Sequence, residues 1–178
     1  KAPTAANDVK VGSFNIADVS GDARLRNAQQ TWAERRGAVA DDITGADLEV
    51  VGLQEASPYS SYRSQTPGGA NQQESLLSAL RESDDAWRLI PREVTSSSTI
   101  AYRSDRFSLE DSGFVLYDEQ SGSNRYLAWA ILEVKETGKE FLVTSTHLNS
   151  TSESIRESQW KQLITEVNAL KGNRPVIA

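Results

Sequence analysis

Four polar residues stand at or beside the ends of apolar, strand-like runs in this chain. Asn15 follows VGSF, Glu55 follows VVGLQ, Arg125 precedes YLAWAILEV, and His147 follows FLVTST. A carboxylate and an amide oxygen are hard ligands, suited to magnesium, manganese or calcium and not to zinc. Magnesium keeps several waters and takes one or two carboxylates, which leaves positions for phosphate oxygens. An arginine offers a planar fork matched to phosphate. A histidine exchanges a proton near neutral pH or donates to a phosphoryl oxygen. Together the four describe metal-assisted attack of water on a phosphate ester.

Each residue alone has a plainer reading. Asn15 would cap a turn, Glu55 would pair with an arginine, Arg125 would face solvent, and the single histidine would be a hydrogen-bonded structural group. For Glu55 taken alone, an exposed strand terminus or an arginine partner is the better reading, yet the run Leu48 to Gln54 that leads into it is a buried strand by pattern. An unpaired carboxylate in a low-dielectric site costs several kcal/mol, so it needs a cation, a hydrogen-bond cage or water. Four such placements in one chain are harder to dismiss than one.

The elements that must position these groups follow from a periodicity that switches between two and about 3.6, the mark of a mixed α/β chain. Val9–Ile16 alternates as a strand. AQQTWAERRGAVADDITGAD reads as a helix that Gly45 helps to end. Ser57–Gln73, with Pro58, Pro67, Gly68 and Gly69, reads as a loop, either substrate-facing or a surface excursion. A helix over Glu74–Arg81 comes next. Strands are expected at Trp87–Ile90, Ser98–Arg103, Phe114–Leu116, Leu127–Val134 and Phe141–His147, the last two joined as a hairpin with Gly138 at its tip. The closing helix carries a Ser154/Glu157 capping box, a stripe of Trp160, Leu163, Ile164 and Val167, and a Lys171-Gly172 end. RPVIA then opens another strand.

The bulk composition fits this. The 178 residues suit one domain with a true core, and 38% hydrophobic and 25% charged content are ordinary for a soluble globular chain. No stretch has the length of apolar sequence that a membrane helix needs. A net charge of −6 argues against a broad basic face for nucleic acid, while leaving room for a small cationic pocket or a bound metal. With no cysteine there is neither a disulfide framework nor a thiolate zinc site. The polar opening KAPTAAND reads as a flexible tail over residues 1–8, of the kind left when an export signal is clipped. That points to an extracellular protein, with the cytoplasm as the alternative.

SFNI, VVGLQE, IAYRSDRF, NRYLAWAILEV and FLVTSTHLN, in this order, resemble the endonuclease/exonuclease/phosphatase superfamily, the deoxyribonuclease I-like fold. Arg156 and Gln159 in the following helix, then RPVIA, match its course, so the resemblance runs from Val9 onward over residues 9–178. It is similar in particular to bacterial members of the metal-dependent hydrolase type. The resemblance implies an α/β fold: a partial four-layer α/β/β/α sandwich of two mixed sheets flanked by helices. It implies that Asn15 and Glu55 hold a divalent metal, magnesium first, with manganese or calcium as alternatives. Glu55 and His147 would be the catalytic pair. Arg125 would contact substrate phosphate, Tyr102 would either line the groove or stand as a plain strand aromatic, and Asn149 would lie beside His147.

One departure is severe. In that superfamily the strand equivalent to RPVIA leads into Gly-Asp-Phe-Asn, and a later Asp-His pair completes the site. Neither motif is present in these residues, so the resemblance implies that residues 9–178 are the N-terminal part of such a domain. The expectation is that residues 1–178 alone hydrolyse nothing at a useful rate, and that a C-terminal continuation or second chain completes the site. The substrate would be a phosphate ester: nucleic acid, nucleotide, phospholipid or sugar phosphate. A reading from another class is an inactive binding or scaffold domain that keeps the fold.

Overall fold

A computed structural model describes residues 8–24, 30–92 and 94–178, so the expected tail lies almost wholly outside the described residues. The described residues form eight strands and three α-helices. β1 (Val11–Asn15), α1 (Trp32–Gly45), β2 (Val50–Gln54), α2 (Gln72–Ser83), β3 (Trp87–Leu89) and β4 (Thr99–Arg103) form the first half. β5 (Phe107–Leu116), β6 (Tyr126–Val134), β7 (Lys139–Thr146), α3 (Glu153–Lys171) and β8 (Val176–Ile177) form the second.

The helices start where side chains satisfy their first free N–H groups. At α1 the Glu34 carboxylate accepts the Thr31 N–H at 2.8 Å. At α2 the Asn71 side chain accepts the Glu74 N–H at 3.0 Å. The expected cap on α3 is displaced, since Ser152 accepts the Ile155 N–H and the helix starts at Glu153, one residue before Ser154.

Two mixed sheets result. The first has the order β1-β2-β4-β3, with β1 and β2 parallel and the rest antiparallel. The second has the order β5-β6-β7-β8, antiparallel except for β8 along β7. Alternation along each strand sorts its residues between two cores. On β2 and β4, Val51, Leu53 and Ala101 face the helix side with Trp32, Ile43, Leu76, Leu80 and Trp87. Val50, Ile100 and Tyr102 face the other sheet, against Phe107, Ala128, Ala130, Leu132 and Val143. α3 covers the far side of the second sheet through Leu163, packed on Tyr117 and Leu127. The layers are therefore helices, sheet, sheet and helix, as the resemblance implied.

Two local readings change. β5 begins at Phe107 and not at Phe114, because a bulge at Leu109/Asp111 interrupts the two-residue alternation that would have revealed it. The α3 stripe is only half used: Leu163 is buried, whereas Trp160 is 53% and Ile164 43% exposed. No helix among the described residues is long and apolar enough to cross a membrane.

Candidate metal and phosphate site

Parallel pairing of β1 with β2 sets Asn15 opposite Gln54, so both strands finish at one edge and Glu55 follows immediately. There Asn15 Nδ2 donates to Glu55 Oε1 at 2.9 Å, and the Asp18 N–H donates to Glu55 Oε2 at 3.2 Å. Asn15 Oδ1 accepts the Ala17 N–H at 3.0 Å and keeps a second lone pair. Ala17 and Glu55 both adopt left-handed backbone, each with φ of +55°. For residues other than glycine this costs about 1–3 kcal/mol and persists only where the surroundings impose it. It also breaks the strand alternation, so Glu55 does not take the side that its spacing alone would assign.

The second sheet is drawn up to this edge by a polar bridge that the sequence reading missed. Gln54 Nε2 donates to Ser13 Oγ at 3.2 Å and to Ser145 Oγ at 3.0 Å, and Ser145 Oγ donates to the Leu53 carbonyl at 3.0 Å. Gly52 permits the close approach, because a Cβ there would lie 3.1 Å from that of Ser145. β7 thus delivers His147 to Glu55, with Nδ1 3.9 Å from Oε1. Leu127 pairs with Thr146, which brings Arg125, just before β6, to the same end of the sheet. The Arg125 backbone is pinned by Gln120, whose Oε1 accepts its N–H at 2.9 Å and whose Nε2 donates to its carbonyl at 3.1 Å.

The four residues picked from sequence therefore meet. Arg125 Nε and His147 Nδ1 are buried and have no hydrogen-bond partner among the described residues. Orphaned polar atoms of this kind call for a missing partner, since leaving them dry is costly. Burial works to raise the Glu55 pKa, but the hydrogen bonds from Asn15 and the Asp18 backbone, with His147 and Arg125 nearby, bring it below the usual carboxylate value. His147 is pushed down by burial first and by Arg125 second, against the opposing pull of Glu55. The site thus favours an ionised acid beside a neutral imidazole.

A hard divalent cation fits this donor set. Among the described residues no group of three His, Cys, Asp or Glu side chains is arranged to hold an ion. A cation here would take Glu55 and Asn15 and fill its remaining positions with water and phosphate oxygens, the usual habit of magnesium.

Two other residues fall elsewhere. Tyr102 was expected to line the groove, but β4 runs antiparallel to β2 and pairs Tyr102 with Val50, the far end of the strand from Glu55. Five residues of strand separate those ends by about 16 Å, and Tyr102 packs in the inter-sheet core. The expected result is that Tyr102→Ala costs about 3–5 kcal/mol in urea unfolding, as for other large core truncations, while Tyr102→Phe leaves divalent-metal affinity unchanged. Asn149 is 2% exposed and builds the turn before α3. Its Oδ1 accepts the N–H groups of Thr151 (3.0 Å) and Ser152 (2.7 Å), and its Nδ2 donates to the Ser121 carbonyl. The geometry gives it a structural task.

Arg35 was also missed. It sits one turn after Trp32, with its guanidinium 5.0 Å from that ring's centroid, and donates to the carbonyls of Ile16 and Ala17. It thereby holds the turn that follows Asn15.

The same fold occurs in solved structures. A mannosyl-6-phosphatase from Bacteroides thetaiotaomicron superposes with a TM-score of 0.71 at 20% identity, covering 95% of this chain and 63% of that one. This chain has the endonuclease/exonuclease/phosphatase fold. An endonuclease/exonuclease/phosphatase from Bacteroides vulgatus matches with a TM-score of 0.70 at 22% identity, over 94% of this chain and 63% of that one. For the human Nocturnin catalytic domain the TM-score is 0.66 at 18% identity, over 94% and 62%. The chain spans about three-fifths of the length of these endonuclease/exonuclease/phosphatase structures. No protein-family model matches it, and no curated protein matches it by sequence.

Proposed function

We propose that this chain carries the first part of a divalent-metal-dependent phosphoesterase site. The carrying observation is the Asn15–Glu55 hydrogen-bonded pair faced by the unpartnered nitrogens of Arg125 and His147. Glu55 and Asn15 hold the cation, magnesium first and manganese or calcium next. When bound, it would polarise a phosphoryl oxygen and make water a stronger nucleophile at neutral pH. Asp18 and Asn15 keep the carboxylate ionised and in place. Arg125 supplies a cation for the substrate phosphate, and the neutral His147 assists the phosphoryl group or the leaving oxygen.

The substrate we favour is a small phosphate ester. The mannosyl-6-phosphatase neighbour supports a sugar phosphate, and the net charge of −6 disfavours a long polyanion. A further length of protein, as continuation or second chain, completes the site. Support comes from the two-ligand donor set, from the outer edges of β1 and β8, and from the exposed Trp160 and Ile164.

The expected result is a rise in melting temperature of residues 1–178 with Mn2+, because a ligand that binds only the native state stabilises it by about 2.7 kcal/mol at a hundred times Kd. Without that rise the reading fails. The same residues should show no turnover of phosphodiester or sugar phosphate. Metal binding with no hydrolysis by any longer form would favour the scaffold reading, to which the two-ligand donor set also lends support.

A further inference from the structure

The sequence leaves Gln72 and Gln73 at the end of a Gly- and Ser-rich loop, yet both are buried at the N-terminus of α2. Gln72 is 0% exposed and directs its side-chain amide to backbone outside its own helix. Its Oε1 accepts the Val19 N–H at 3.0 Å and the Ser57 N–H at 3.0 Å, while its Nε2 donates to the Ala17 carbonyl at 2.8 Å. Its own N–H donates to the Ser57 carbonyl at 3.1 Å. One oxygen thus ties the turn after Asn15 to the turn after Glu55. The two turns it joins contain the left-handed Ala17 and follow the left-handed Glu55.

We propose that Gln72 is a positioning residue that sets the spacing of Asn15 and Glu55. It touches neither side chain. It fixes the backbone on which each is mounted, from a helix anchored in the core by Leu76 and Leu80. The rigid platform matters because strained backbone relaxes unless its surroundings over-determine it. Removing the shared acceptor frees both turns at once, and the Asn15–Glu55 hydrogen bond should loosen with them. This deepens the phosphoesterase reading and rests on it for the meaning of the pair, although the clamp itself is measurable without metal.

The test uses Gln72→Met, which keeps the length and removes both the acceptor and the donor. Leu132→Ala, in the core between the sheets, serves as a destabilised control. In the metal-free protein, nuclear magnetic resonance should show the Asn15 side-chain amide shifting to the position of a free amide in Gln72→Met and staying put in the control. Calorimetric titration with Mn2+ should give an affinity about 10–100-fold weaker for Gln72→Met, the range seen when groups orienting a ligand are removed. The control should bind as the native protein does. An unmoved Asn15 amide with native Mn2+ affinity overturns the proposal. Should Gln72→Met fail to fold, hydrogen exchange of the native chain decides: the Val19 and Ser57 amides must open together with one free energy, and independent opening overturns the clamp. If the native chain binds no Mn2+, the phosphoesterase reading falls, and the Asn15 amide alone still decides whether Gln72 positions the pair.

Discussion

Glu55→Gln should abolish the response of this chain to divalent metal: Mg2+ or Mn2+ that raises the melting temperature of the native protein should leave the variant unmoved. The substitution is close to isosteric. The amide oxygen can still accept the Asp18 N–H, and the left-handed backbone at φ of +55° is kept because the side chain beyond Cβ barely changes. What disappears is the one formal negative charge among the two donors that face the site. Asn15 alone offers a neutral oxygen already accepting the Ala17 N–H. Losing even an orienting partner of a ligand costs metals 10–100-fold, so losing the charged ligand itself should weaken binding by at least about 100-fold. Undiminished metal stabilisation of Glu55→Gln would place the cation elsewhere and remove the chemical meaning of the strand-end cluster.

The legible part of this site depended on strand ends. Asn15 and Glu55 could be paired from sequence because each closes an apolar run, and parallel neighbours in register finish together. Arg125 and His147 were legible for a related reason: they flank the open end of a hairpin whose turn is marked by Gly138, with φ of +66°. Tyr102 shows where that logic stops. Its strand reads as well as the others, but strand direction is set by tertiary pairing, and an antiparallel β4 carries it away from Glu55. Gln54 and Gln72 were invisible for another reason. A glutamine carries no periodic signal, and although Gln54 stands within VVGLQE, its task and that of Gln72 lie in reaching backbone or hydroxyl partners that are distant in sequence. The left-handed turn at Glu55 was equally hidden, since nothing about a glutamate announces positive φ. The half-exposed α3 stripe marks the opposite case, in which helical spacing was read correctly and burial did not follow from it.

His147→Ala carries the second large effect. In any form of the protein that turns over a phosphate ester, kcat should fall by roughly 10²–10⁴, the usual contribution of a positioned proton-transfer group. Metal affinity should stay nearly native, because His147 contacts Glu55 only at 3.9 Å and is not among the proposed ligands. A loss of metal binding in step with activity would recast it as a ligand or a support. The same variant has a signature in metal-free stability. Burial and Arg125 hold the folded pKa of His147 below its ordinary value of 6.5, so below that pH the unfolded chain binds the proton more readily. Native stability is therefore fully present above about 6.5 and declines as pH falls towards the folded pKa, where the loss levels off. Glu55 acts at lower pH, because its folded pKa is depressed below 4.5 and its contribution is lost as pH falls through that value. Urea unfolding in chelator across this range should show both declines for the native chain and only the lower one for His147→Ala. A surviving decline just below pH 6.5 in that variant, which has no histidine left, would assign the effect to other groups and undo the case for an imidazole held neutral beside Glu55.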